Sequence, residues 1–225
     1  MEANHAWTPL QEIRVEQEDF SAVADLMAVI DATANGEPVI LVGCSQGGGI
    51  VLDAALQHPS RIRAVVLIAP NVSGAPEAIY PPRIESLMTR FKEAEKIGDL
   101  DQMIAIRARL FLDGPLEPEG RVTGAARQLF VDMNAVALRS PPTGANLDAG
   151  GAYDCLGKLS MPSLVVWGDL DFPNVQERSR HVATTVLNGS SHVLTGAAHL
   201  PSLERPAEIT GLVAEFINRC SARRG

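Results

Sequence analysis

The segment 43–47 has the pattern G-x-S-x-G, in which a serine lies between two glycines, and it is the strongest candidate for a catalytic motif in the chain. This pattern is typical of a strained turn between a strand and a helix, which exposes the serine hydroxyl. We expect Gly43 and Gly47 to be required because side chains there would collide with the neighbouring strand and helix. The sequence therefore predicts Ser45 as a nucleophile and the backbone N–H of Gln46, at a helix start, as an oxyanion donor.

A serine hydroxyl needs a nearby general base to attack a carbonyl group at neutral pH. Five histidines are available: His5, His58, His181, His192 and His199. The first four are predicted to lie near the start, at a helix end before a proline, in a surface helix and inside a strand. His199 follows the last predicted strand, at the edge where parallel sheets present catalytic groups. We therefore predict His199 as the base.

The acid that orients the histidine has two candidates, Asp169 and Asp171, directly after an apolar run. Asp171 is favoured because it lies further out in the loop, whereas Asp169 adjoins the strand and can cap the turn. The chain order Ser45, Asp171, His199 is that of one particular Ser-Asp-His triad among several convergent ones. The sequence thus predicts a triad that forms and hydrolyses an acyl-enzyme.

The elements that would position these residues are apolar strands alternating with helices. Four apolar runs without polar alternation predict strands covered on both faces, as in a parallel sheet flanked by helices. The runs are 39–42, 64–69, 164–167 and, more weakly, 192–194. Helices are predicted at 20–34, at 46–57 and from Pro206 onward. The expected fold class is α/β.

A long segment between the second and third runs carries three amphipathic helical patterns. Their apolar positions are Ile84, Leu87, Met88 and Phe91; Leu100, Met103, Ile104 and Phe111; Val122, Leu129, Met133 and Val136. Strand and helix patterns on both sides of a helical insertion predict a core at 1–70 and 161–225 with a helical cap at 71–160.

Together these motifs resemble the α/β-hydrolases, in particular the capped branch of serine esterases, lactonases and carbon–carbon bond hydrolases. The resemblance rests on 41–48, on His58-Pro59 with the strand after it, on 162–171 and on 196–206. It extends from about residue 20 to the end. The resemblance implies Asp171 as the acid and a cap at 71–160. A serine at position 45 is unlike the dehalogenase and epoxide-hydrolase branches, which use aspartate there.

The start of the chain departs from the family pattern, which has further strands and a His-Gly loop that supplies a second oxyanion donor. Residues 1–19 contain no glycine and only a weak alternation at 12–16. We therefore expect an N-terminally short, truncated fold in which the strand at 39–42 becomes a sheet edge. Loss of one oxyanion donor would lower turnover ~10²–10³-fold.

Composition excludes several other roles. The 225 residues include 19 basic and 27 acidic side chains, a net charge of −8, which gives no basis for binding nucleic acid or an anionic membrane surface. No run of membrane-spanning length and no secretory signal is present, so a cytoplasmic protein is expected. Cys44, Cys155 and Cys220 lack CxxC spacing and are predicted to be free thiols. No metal or other cofactor is indicated.

The predicted activity is hydrolysis of a carboxylic ester or a lactone, with no partner other than the small-molecule substrate and a possible homodimer. Apolar side chains of the cap would favour an apolar acyl or alcohol group, or would simply hold the cap on the core. The same triad could cleave carbon–carbon bonds. A third interpretation, suggested by the incomplete oxyanion hole, is a weakly active or non-catalytic protein that binds a small ligand.

Overall fold

Four parallel strands and the helices that follow them form the framework of the fold. The computed structural model describes residues 19–141, 144–148 and 150–222. The strands are β1 (Val39–Cys44), β2 (Ile62–Ile68), β3 (Ser163–Gly168) and β4 (Gly189–Leu194). The helices are α1 (Ala22–Thr33), α2 (Gln46–Gln57), α3 (Pro82–Ile97), α4 (Leu100–Arg107), α5 (Gly124–Arg139), α6 (Ala152–Cys155), α7 (Pro173–Thr185), α8 (Pro201–Glu204) and α9 (Pro206–Ala222). The alternation predicted at 12–16 lies outside the described residues.

The strands lie in chain order, β1-β2-β3-β4, and every neighbouring pair is parallel. In register, Val42 lies beside Val66, and Val166 lies between Ile68 and His192. All four strands therefore end at the same edge of the sheet, and the loops that follow them meet there. This confirms the predicted α/β class. Among the described residues β1 pairs with β2 alone, so it is the expected edge strand, and Val42 is 48% exposed.

The two central strands are buried on both faces, which explains their uninterrupted apolar sequences. On one face Val65 and Leu67 pack in a cluster with side chains of α1, α2 and α7. On the other face Val66 and Val166 pack with α9, through side chains such as Phe216. Since both faces are covered, polar alternation would place polar groups in the core.

The boundaries of the first helix follow from local chemistry. The Ser21 hydroxyl accepts a hydrogen bond from the Ala24 N–H at 2.9 Å, which satisfies one of the free amides of α1. At the other end Asn35 and Gly36 adopt positive φ values of 48° and 82°, which stops the helix as predicted.

The segment between β2 and β3 is helical, and its first two helices bury the expected faces. Ile84 of α3 and Met103 of α4 are buried, and a π-helical turn at Ala108–Leu112 continues α4. The division of the chain at 70 and 160 stays a prediction. In the part of the chain that the structure describes, no helix is both long and apolar enough to cross a membrane.

The predicted apolar face of the third helix is wrong, although the helix exists as α5. Leu129, Met133 and Val136 are each more than half exposed. The buried residue is Phe130, which packs in a cluster with Leu112 of the π-helical turn. Helical periodicity identifies a stripe of residues, but the contacts of neighbouring elements decide which stripe is covered.

Candidate active site

The turn that carries Ser45 joins β1 directly to α2. Ser45 has φ 52° and ψ −116°, a left-handed backbone that is unusual for any residue other than glycine. Two hydrogen bonds hold it: the Ser45 N–H donates to the Ile68 carbonyl, and the Asn71 N–H donates to the Ser45 carbonyl, both at 2.9 Å. The strain is thus stabilised by the end of β2 and the loop behind it. The Ser45 hydroxyl lies at the common edge where the strands end.

The two glycines of the turn differ in what they require. A Cβ atom at Gly43 would lie 2.4 Å from the Gly47 carbonyl oxygen, so this position accepts no side chain, as predicted. The prediction that Gly47 is needed for space is wrong, because a Cβ there would have no heavy atom within 4 Å. Gly48 is the most crowded of the α2 glycines, since its Cβ would lie 2.9 Å from the Pro70 Cβ. Close packing therefore needs Gly43 and Gly48.

A matched pair of alanine variants tests this difference. Gly43→Ala is expected to lower the free energy of unfolding by about 2–3 kcal/mol, because the clash is with backbone that cannot move aside. Gly47→Ala should change it by less than about 1 kcal/mol, with a gain in helix propensity. Urea unfolding of both variants measures the difference. Equal effects would contradict the local geometry.

A continuous chain of hydrogen bonds joins the three predicted catalytic side chains. The Ser45 Oγ lies 2.7 Å from the His199 Nε2, and the His199 Nδ1 lies 3.0 Å from both carboxylate oxygens of Asp171. Asp171 and His199 are 2% and 6% exposed. Asp171 follows β3 and His199 follows β4, so the structure brings together residues that are 154 and 28 positions apart in sequence.

Asp169 has a different environment from Asp171. Its Oδ1 accepts a hydrogen bond from the Gly196 N–H at 2.7 Å, which ties the loop after β3 to the loop after β4. Asp171 also accepts a bond from the Phe172 N–H at 2.7 Å, which holds the carboxylate in place. The choice of Asp171 as the partner of the histidine thus matches the contacts, and Asp169 supports the turn.

A cavity of about 350 Å³ opens over Ser45 and His199. Its apolar walls are Tyr80, Met88, Leu110, Phe111, Phe172 and Val175. The Phe111 ring centroid lies 5.3 Å from that of His199. Gln46 also lines the cavity; as the first residue of α2, its N–H lacks an acceptor within the helix. The arrangement can hold an apolar molecule with a reactive carbonyl beside Ser45.

A second cavity, of about 560 Å³, adjoins the first and shares Asn174 and Arg178 with it. It contains neither Ser45 nor His199. Within the described ranges, His, Cys, Asp and Glu side chains form no group of three or more that could hold a metal ion.

Cys44 is the residue next to the proposed nucleophile. Burial, with a smaller effect of the nearby Asp171 carboxylate, raises the pKa of the Cys44 thiol to about 11. The thiolate is the nucleophilic form of cysteine, so Cys44 stays protonated and unreactive at neutral pH.

An arginine that was not predicted from the sequence, Arg121, connects the segment between β2 and β3 to the loop of His199. Arg121 donates to the Gly196 carbonyl at 3.0 Å and pairs with the Glu204 carboxylate at 2.5 Å. The other oxygen of Glu204 accepts from the Ala198 N–H at 2.8 Å. The residue before His199 is thus held by a buried carboxylate whose counter-ion, Arg121, comes from the segment between β2 and β3. An isolated arginine 83 positions from Glu204 carries no sequence signal for this contact.

Replacing Arg121 with methionine should destabilise the protein in a pH-dependent way. Burial raises the Glu204 pKa, whereas the Ala198 N–H and Arg121 oppose the rise, so loss of Arg121 raises it further. A carboxyl whose pKa is higher in the folded state favours folding at low pH and loses that contribution as pH rises. We expect Arg121→Met to lower the free energy of unfolding by about 3 kcal/mol near pH 7 and by less near pH 4.5.

The control for this variant is the same change in a Glu204→Gln background. There the penalty should be smaller and nearly independent of pH, because no buried charge is left unpaired. Urea unfolding at both pH values measures all four proteins. A pH dependence that survives in the Glu204→Gln background would contradict the pairing.

Comparison with known proteins identifies the family. The sequence model of the alpha/beta hydrolase family matches residues 5–211, and the chain belongs to this family. A pimeloyl-[acyl-carrier protein] methyl ester esterase from Serratia marcescens is 22% identical over 78% of this chain and 69% of its own length. Epoxide hydrolase A from Mycobacterium tuberculosis is 27% identical over 89% of this chain and 74% of its own length.

Two solved structures show the same fold. A thermophilic esterase from Thermogutta terrifontis has a TM-score of 0.65 and 20% identity, covering 92% of this chain and 75% of that one. MenH from S. aureus has a TM-score of 0.69 and 17% identity, covering 92% of this chain and 79% of that one. Homology to esterases and an epoxide hydrolase supports a hydrolase of the α/β family.

Proposed function

We propose that the protein is a serine hydrolase that cleaves a carboxylic ester or lactone through an acyl-enzyme. The observation that carries this proposal is the continuous contact from Ser45 Oγ through His199 to Asp171, with distances of 2.7 and 3.0 Å, at the floor of an apolar cavity. A nucleophile, a base and an orienting carboxylate in contact are the parts that covalent acyl transfer requires.

The geometry supports the following sequence of steps. Ser45 Oγ attacks the carbonyl carbon while His199 Nε2 takes the hydroxyl proton, and the carbonyl oxygen becomes negative facing the Gln46 N–H. The imidazolium, stabilised by Asp171, then gives its proton to the departing alkoxide, which leaves an acyl group on Ser45. His199 next removes a proton from water, which attacks the acyl group. The tetrahedral intermediate that results collapses as His199 returns the proton to the departing Ser45 Oγ, which releases the acid and restores Ser45.

The helical segment would act as a cap over this reaction. Met88 of α3 and Leu110 and Phe111 of the π-helical turn form part of the cavity wall. Apolar walls exclude water from the reacting ester and favour an apolar group next to the carbonyl. In this proposal the segment between β2 and β3 therefore determines substrate specificity and keeps water away from the reacting ester.

Labelling with a fluorophosphonate, followed by peptide mapping, tests the proposal. We expect one equivalent of label per chain, attached to Ser45, together with saturable hydrolysis of p-nitrophenyl butyrate. The matched control is Ser202→Ala, which removes an exposed serine of α8 close to His199 and should label like the unaltered protein.

Other outcomes point to the alternative functions. Labelling of Ser45 without turnover of any ester or lactone would favour a damaged, weakly active hydrolase with an incomplete oxyanion hole. If the protein shows no labelling and no turnover, a ligand-binding function is favoured. Labelling of another serine would overturn the assignment of the nucleophile.

A further inference from the structure

Arg178 has an unusual position on the wall of the cavity over Ser45. Of the described residues that line this cavity, Arg178 is the only one with a permanent charge, and none is Asp or Glu. The chain as a whole has 27 acidic and 19 basic side chains, so the lining does not lack Asp and Glu because the chain is poor in acidic residues. A neutral ester carries no negative charge that the Arg178 guanidinium could bind.

The guanidinium of Arg178 is largely uncommitted. One of its nitrogens donates to the Pro76 carbonyl at 2.6 Å. Within the described ranges no carboxylate lies within 4.0 Å of it to form an ion pair, although the adjoining cavity includes Glu77 and Glu177. A guanidinium has five N–H donors in a planar fork, so several remain for a ligand. The half-buried Arg178 guanidinium can therefore bind an anionic ligand in the cavity.

Asn174 adds a second polar group beside Arg178. The two residues are four positions apart on α7, so they lie on one face of the helix, and both line the same two cavities. The Asn174 Oδ1 is buried and has no hydrogen-bond partner in the structure. An amide oxygen only accepts hydrogen bonds, so a bound carboxylate would be met by the Nδ2 donors of Asn174 and not by this Oδ1.

The small volume of the cavity favours a short ligand. At about 350 Å³ it lies near the lower end of the range for small-molecule sites, about 300–1,000 Å³. Ser45 and Arg178 both lie on its wall, so a single ligand that fills the cavity contacts both. The remaining wall is mostly apolar, which suits methylene groups.

We propose that the substrate is a short ester that carries a free carboxylate on its acyl side, a monoester of a dicarboxylic acid, and that Arg178 binds this carboxylate. The inference rests on the proposed hydrolase function and names its substrate class. A planar carboxylate matches the guanidinium fork in a bidentate contact. A phosphate dianion would need a second cation, which the described lining of the cavity lacks.

The test compares monomethyl adipate with dimethyl adipate, which differ in one negative charge. We expect the unaltered protein to prefer the monoester in kcat/KM. Arg178→Met should lower the monoester-to-diester ratio of kcat/KM by about 30- to 300-fold, mainly through KM. Arg180→Met, which changes an exposed arginine of the adjoining cavity, should leave the ratio within about threefold. A ratio unaltered in Arg178→Met would overturn the inference.

A binding measurement separates this inference from the proposed function. Calorimetry with the Ser45→Ala protein measures monomethyl adipate binding without turnover, and Ser45→Ala/Arg178→Met should bind it about 30-fold or more weakly. Hydrolysis of p-nitrophenyl butyrate without any effect of Arg178 on adipate esters would overturn the carboxylate site and leave the hydrolase proposal standing. Arg178-dependent binding without hydrolysis of any ester would overturn the hydrolase proposal and support the carboxylate site.

Discussion

Replacing Ser45 with alanine is expected to lower kcat for p-nitrophenyl butyrate by ~10⁴- to 10⁶-fold. The Ser45 Oγ, 2.7 Å from the His199 Nε2, is the group that forms the covalent bond in the proposed reaction. Without it, binding in the cavity and the Gln46 N–H leave only residual catalysis. Steady-state kinetics with enzyme concentrations determined by fluorophosphonate titration of the unaltered protein would measure the loss.

Two controls make this result specific. Ser202→Ala should retain kcat within about threefold, since Ser202 is exposed and is not part of the hydrogen bonds that join Ser45, His199 and Asp171. Iodoacetamide should not change the residual rate of Ser45→Ala, because the Cys44 pKa of about 11 keeps the neighbouring thiol protonated. If a folded Ser45→Ala protein kept more than a hundredth of the activity, the nucleophile would have to be another group.

Replacing Asp171 with asparagine is expected to lower kcat by ~10⁴-fold with little change in the fold. The Asp171 carboxylate faces the His199 Nδ1 at 3.0 Å through both oxygens, and in the proposed reaction it stabilises the imidazolium that forms when Ser45 loses its proton. An amide removes this charge and favours the wrong tautomer of the ring. The kcat/KM for p-nitrophenyl butyrate, with circular dichroism as a check on folding, measures the effect.

Asp169→Asn provides a matched control from the same loop. Asp169 contacts the Gly196 N–H, and an asparagine can keep this bond through its carbonyl oxygen. We expect the variant to lose less than about tenfold in kcat. A larger loss in Asp169→Asn than in Asp171→Asn would reverse the assignment of the two aspartates.

Much of the framework could be predicted because its signals are local. The runs at 64–69 and 164–167 are apolar throughout since both faces of β2 and β3 are covered, and their prediction as parallel strands is confirmed. The stop of α1 at Asn35 and Gly36 depends on residues that tolerate positive φ. Such preferences act within a few residues, so they can be recognised before the chain is folded.

Contacts between distant segments could not be predicted in this way. The apolar stripe of α5 is exposed at Met133, and Gly47 has free space around it, because neighbouring elements rather than periodicity decide what is covered. Arg121 and Arg178 are unremarkable as single basic residues in the sequence. Only the fold places Arg121 against the loop before His199 and Arg178 in the wall of the cavity.

The sequence by itself determined the α/β class and predicted Ser45, Asp171 and His199 as a catalytic set, because glycine turns, strand composition and chain order are properties of the sequence. Only the tertiary structure decided the 2.7 and 3.0 Å contacts among these residues, the cavity above them and the unpaired cation in its wall. Such distances depend on how four strands and their loops pack together, and packing is a property of the whole fold.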